Sequence, residues 1–221
     1  MRHGYGLDIP ESLEDVCDPS RMALVVYDMQ VGVLNQLADP APVIERVGRV
    51  LSAARAGGFP VFFMRHYFLP HRLTGVFGLR MAMAWQQVSS VEELRPMLTK
   101  DSQGFAITPE LQPRADEAVF DKVSMSAFEG TPLGSVMRDL GLTSYAIVGV
   151  ATEIGIEPTV RHGTDLGLIP VVVADACGGG DQAAQRRAFE GFAFAGDAMV
   201  TDVDSIAPLL SSGADTPQRQ P

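Results

Sequence analysis

Apolar runs of three to five residues recur along the chain at 23–27, 60–64, 118–120, 145–148, 169–173 and 198–200. Unbroken rather than alternating hydrophobicity is what a strand covered on both faces requires, and helical patterns fill the intervals between the runs. Between the first two, Val43, Val47, Val50, Leu51 and Ala54 recur at helical spacing, and Gly57-Gly58 supplies a stop. After the third, Thr131 is placed as N-cap and Pro132 at the first helical position, with Leu133, Val136, Met137 and Leu140 on one face before Gly141. The pattern predicts a ladder of βαβ units and hence a parallel sheet.

Three stretches fall outside the ladder. Residues 67–113 hold His71, Met81, Met83 and Trp85 between further turn signals, which predicts short helices packed over the open end of the sheet, where insertions shape substrate access. Residues 1–21 form an N-terminal arm without a readable motif, and the polar, proline-containing stretch 211–221 is expected to be a disordered tail. The folded domain is therefore placed at 22–210.

Composition narrows the function. With 46% hydrophobic and 20% charged residues over 221 positions, the chain suits one core of ordinary size. A net charge of -10 without a Lys/Arg-rich run argues against nucleic acid, and no apolar run is long enough to span a bilayer, so a small-molecule substrate and a cytoplasmic location are expected. An anionic substrate is still allowed, because one nearby cation outweighs a distant net charge. Cys17 and Cys177 are too few and too far apart to suggest a disulfide framework or a metal site.

Chemistry concentrates at the ends of three apolar runs. Asp28 follows Val25-Val26-Tyr27, at the strand end where open α/β sheets bind ligands; its alternative is to cap a loop. Gln30 hydrogen-bonds either a ligand or its own turn. Lys122 follows Phe120-Asp121 and opens a segment through Ser126-Ala127-Phe128 and Gly130-Thr131. The third run ends at Gly149-Val150-Ala151-Thr152-Glu153-Ile154-Gly155, with a helix expected from about Ile154. Amides at a helix start can bind developing negative charge.

These three segments, in this order, resemble the isochorismatase-like hydrolase superfamily, whose members carry an Asp after the first strand, a Lys after the third and a Cys at a helix start after the fourth. The resemblance covers about residues 22–204. It implies Asp28 and Lys122 as a catalytic pair and a cis peptide at Val150-Ala151. The position matching the cysteine is Gly155, which has no side chain with which to attack a carbonyl. The superfamily's isochorismatases also lack that cysteine and hydrolyse a vinyl ether with the Asp as acid, and Ile154-Gly155 resembles that branch. Together, pattern and resemblance predict a Rossmann-like three-layer α/β/α fold with a six-stranded parallel sheet, assembled as a homodimer or homotetramer.

The expected substrate contacts are Gln30, His66, Trp85, Phe128, Val150, Ala151, Thr152 and Glu153. For Trp85 and Phe128 core packing is the competing role, and for Glu153 it is an exposed first-turn carboxylate favoured by the helix dipole. Arg65 pairs with either a substrate carboxylate or a structural acid. No metal and no cofactor are expected: Phe62-Phe63-Met64-Arg65-His66 lacks the carboxylate with which nicotinamidase-like relatives bind a metal, and histidines alone make a poor site. The expected chemistry is metal-independent hydrolysis with an enol-ether C–O bond preferred. A C–N hydrolase using water, or a non-catalytic metabolite binder, is the alternative.

Overall fold

The computed structural model describes residues 1–215. Six parallel strands form the central sheet: β3 (Met22–Tyr27), β4 (Val61–His66), β5 (Ala118–Lys122), β6 (Ser144–Val150), β7 (Ile169–Gly178) and β8 (Met199–Thr201). Their order is β5-β4-β3-β6-β7-β8, so the chain winds outward on one side of β3 and then returns to its other side at β6. The crevice of such a sheet opens where the winding reverses, beyond the carboxyl ends of β3 and β6. β1 (Arg2–Gly4) and β2 (Leu7–Ile9) add a small antiparallel hairpin in the N-terminal arm, and α1 (Val31–Leu34) is a single turn soon after β3.

Side chains alternate across β3. Met22, Leu24 and Val26 pack under α2 (Ala41–Ala56) and α7 (Val203–Ser211), through Val47, Val50, Leu51, Ile206 and Leu210. Ala23, Val25 and Tyr27 face α4 (Leu133–Asp139), α5 (Glu157–Asp165) and α6 (Gln182–Ala195), through Leu133, Met137, Val160 and Phe192. With every residue of β3 buried, each large side chain contributes about 1.5–3 kcal/mol of transfer free energy. This makes β3 a rigid mount for whatever follows Tyr27.

The element ends differ from the sequence reading in instructive ways. Helix α4 begins one residue later, after Pro132, because the Thr131 hydroxyl turns back to donate to Ala127 O while accepting weakly from Leu133 N at 3.3 Å. The helix expected from Ile154 starts instead at Glu157, and Thr152–Ile156 forms a π-helical turn. Residues 211–215, assigned to a disordered tail, are helical: Ser211 ends α7 and Ser212–Asp215 make a further 3₁₀ turn packed near Phe59. The rest of the expected tail, 216–221, lies outside the described residues.

The insertion is helical as expected, with α3 (Val76–Gln86) and short 3₁₀ turns at His71–Leu73, Val91–Glu93, Gln103–Phe105 and Pro109–Leu111. No helix among the described residues is long and apolar enough to cross a membrane.

Candidate active site

Strand register brings the chemical groups together. Tyr27 lies opposite Met64 on one side and Gly149 on the other, while His66 lies opposite Lys122. The residues at the carboxyl ends of β3, β5 and β6 therefore meet at one level above the reversal point. Gly149 is the backbone condition for this: its φ is 122°, and any Cβ there would collide with the carbonyl of Tyr27.

Asp28 itself holds a φ of 47°, a left-handed conformation that carboxamide and carboxylate residues tolerate better than most. Its Oδ2 accepts a 2.8 Å hydrogen bond from Lys122 Nζ, and its buried Oδ1 has no hydrogen-bond partner within the protein. Lys122 is fully enclosed. Its ammonium also donates to Ser124 O at 3.3 Å and stands 4.2 Å from the centre of the Tyr27 ring.

Burial governs the protonation of this pair. It raises the Asp28 carboxyl to about 6 although Lys122 pulls in the opposite direction, and it lowers the Lys122 ammonium despite the facing carboxylate. A general acid beside a lysine is thus compatible with this site. His66 is held neutral, pushed down to about 3 by burial and the Lys122 charge, and its Nδ1 has no partner within the protein.

A cavity of about 190 Å³ opens onto these groups, walled by Asp28, His66, Trp85, Val150, Ala151 and Gly155. The Val150-Ala151 bond is cis. A larger cavity of about 650 Å³ lies within the insertion, contains neither Asp28 nor Lys122, and shares only Phe68 and Met97 with the first. Asp28 and His66 line only the smaller one.

Other expected substrate contacts are engaged elsewhere. Gln30 is wholly buried and bonds neither a ligand nor its own turn: its amide donates to His66 O and Phe105 O and accepts from His66 N, clamping the end of β4. Thr152 Oγ1 donates to Gly178 O and accepts from Gln185 Nε2. Glu153 is neither exposed nor in the cavity wall; its Oε1 accepts from the amides of Gly180 and Asp181, tying the π turn to the start of α6. Phe128 packs edge-on against Tyr145 and His162 in the core. Arg65 binds Asp121 at 2.8 Å and lies over Phe105. The amides of Gly155 and Ile156 fold back onto Ala151 O, so the π turn satisfies them internally.

The cavity wall also contains residues that motif reasoning passed over: Tyr27, Phe68, Met97, Leu98 and Met125. Tyr27 follows the alternation of a core strand, and Met97 and Leu98 belong to no pattern. Adjacency to Asp28 was the one available signal for Tyr27.

The Isochorismatase domain matches residues 22–205, a span that carries Asp28, Lys122 and the π turn. The chain belongs to the isochorismatase family. It is a hydrolase of that family. Among curated relatives, the ureidoacrylate amidohydrolase RutB of Serratia proteamaculans is 30% identical over 213 residues, covering 88% of this chain and 84% of the relative. The RutB of Methylorubrum extorquens strain AM1 is also 30% identical, over 231 residues and 91% of its length. Among solved structures, a cysteine hydrolase from Pseudomonas syringae pv. phaseolicola superposes with a TM-score of 0.74 at 23% identity, over 89% of this chain and 95% of that one. An isochorismatase family protein from Burkholderia thailandensis gives 0.71 at 26%, over 87% and 96%.

In this isochorismatase-family chain neither cysteine is among the residues lining the cavity at Asp28. Cys177 is buried, donates weakly to Ile147 O and has its thiol pushed up strongly by burial; half-buried Cys17 is raised to about 11. Both disfavour the nucleophilic thiolate. A Cys17→Ala, Cys177→Ala double variant is expected to retain most of its turnover, measured as kcat/KM beside a melting curve. Loss of turnover with an unchanged melt would contradict this.

Proposed function

We propose that the chain hydrolyses a small molecule without a thiol or metal, with Asp28 as general acid, Lys122 orienting it and water as the attacking group, and that an enol-ether C–O bond is the preferred target. The Asp28 carboxyl carries this reading: an acid of pKa about 6 with one oxygen held by Lys122 and the other unpartnered, at a cavity wall. Such an acid keeps a usable proton near neutral pH. Among the described residues no three His, Cys, Asp or Glu side chains converge as a candidate metal site.

In the proposed reaction the Asp28 proton passes to the β-carbon of the enol ether, leaving an oxocarbenium ion. Water adds to the oxygen-bearing carbon and returns one proton to the Asp28 carboxylate. The resulting hemiketal collapses to a carbonyl compound and an alcohol. Neutral His66 offers the substrate a hydrogen bond that does not change across the physiological range, and Trp85 closes the apolar side.

A second reading, hydrolysis of a C–N bond by activated water, is favoured by the amidohydrolase relatives at about 30% identity. There Asp28 would act ionised, as the base for water. The two readings separate in D₂O, using a panel of carboxylated enol ethers, ureides and carbamoyl amides. Enol-ether hydrolysis must place deuterium on a product carbon, without a covalent enzyme adduct in quenched mass spectra. Amide cleavage with unlabelled carbons would refute the first reading, and ligand-induced stabilisation without turnover would refute both.

A further inference from the structure

Tyr27 fills the space in which a side chain at position 155 would lie. A Cβ built on Gly155 falls closer than 3.0 Å to Tyr27 Oη, Cε1 and Cζ. This neighbour has no freedom to retreat: Tyr27 is 1% exposed, at the end of a fully buried strand, and its hydroxyl donates to Met125 O. The same ring lies under the Lys122 ammonium, whose second acceptor, the backbone Ser124 O, belongs to the loop that Tyr27 anchors. The phenol is therefore wedged between the π turn on one side and the Lys122 loop on the other.

We infer that Tyr27 is a specificity-determining residue that fixes the reaction class of this site: its phenol denies room to any side chain at 155, and so to a covalent adduct there, while its ring positions the Lys122 ammonium. Resting on the thiol-free reading above, this makes that chemistry a property of two residues on different elements, of which Gly155 is only one. A thiol cannot be restored at 155 alone. Shortening Tyr27 opens the space, because Leu lacks the Cε and Cζ atoms that meet the 155 position, whereas Phe retains them.

The test needs no substrate. Gly155→Ala should lower the melting temperature clearly in the wild-type and Tyr27→Phe backgrounds and by much less in Tyr27→Leu, giving a non-additive cycle. Gly155→Cys is then treated with iodoacetamide and peptide-mapped, which separates position 155 from Cys17 and Cys177. Alkylation at 155 should be at least about 10-fold faster with Tyr27→Leu present than without it, because thiolate reactivity follows access and local cations. Equal melting losses in all three backgrounds, or a Gly155→Cys variant that melts like the wild type and is alkylated as fast as the double variant, would overturn the role of Tyr27. Neither result bears on whether water or another group attacks the native substrate, which the D₂O experiment decides separately.

Discussion

Asp28→Asn is expected to reduce kcat by about 10²- to 10⁴-fold on whichever compound of the panel is turned over, the usual contribution of a positioned general acid or base. The amide is nearly the same size, and its oxygen can still accept from Lys122 Nζ, now at 2.8 Å from Asp28 Oδ2, so the architecture of the cavity is retained. Loss of the anion leaves Lys122, fully enclosed, without its countercharge, so a fall in melting temperature accompanies the loss of turnover. The measurement pairs steady-state kinetics with circular dichroism. A folded variant with turnover near that of the wild type would remove Asp28 from the mechanism.

Lys122→Met carries the largest expected effect on stability. Removing one member of a buried ion pair typically costs about 3–5 kcal/mol because the other charge is left unpaired in a poor dielectric. Here the cost depends on pH. Without Lys122, only burial acts on Asp28, and its carboxyl rises further above about 6 in the folded state, while the unfolded chain titrates near the ordinary carboxylate value. Between those two values the folded protein holds the proton that the unfolded chain has released, so stability must fall as pH rises through the interval. The deficit relative to wild type should be small near pH 4 and reach its full size above the raised folded value. Urea melts from pH 4 to 8 read this directly, and a deficit independent of pH would show that the pair is not coupled as described.

The sheet was legible because buried parallel strands must be continuously apolar, and all six runs recur as strands within a few residues. The errors lie where polar residues continue a strand. Asp121 and Lys122 extend β5 beyond the apolar run, and β7 runs on through Asp175 to Gly178. The β1–β2 hairpin escaped because its strands, Arg2–Gly4 and Leu7–Ile9, are exposed and only three residues long, too short for the alternation of Leu7-Asp8-Ile9 to register, leaving Tyr5-Gly6, both at positive φ, as the one turn signal.

Site residues divide in a similar way. Those named by their place at strand ends, Asp28, Lys122, His66, Val150, Ala151 and Gly155, converge in the structure. Side-chain direction was not legible: Thr152 and Glu153 open a π turn that periodicity does not reveal, and their partners, Gly178 O and Gly180 N, lie on a distant segment. Gln30 shows the same limit: nothing local reveals that its partners are the backbones of residues 66 and 105.

The two cavities meet along a short common wall. Asp28 and Lys122 sit at the ends of sheet strands whose positions are fixed by a core packed on both faces, while the outer chamber is built from one contiguous stretch between residues 67 and 101. Loops of this kind accept substitution and length change far more readily than strands. On the proposed function, replacing that stretch would exchange the range of molecules admitted while Asp28 and Lys122 beneath it stayed in place, so that selectivity and reactivity in this fold would drift along separate evolutionary paths.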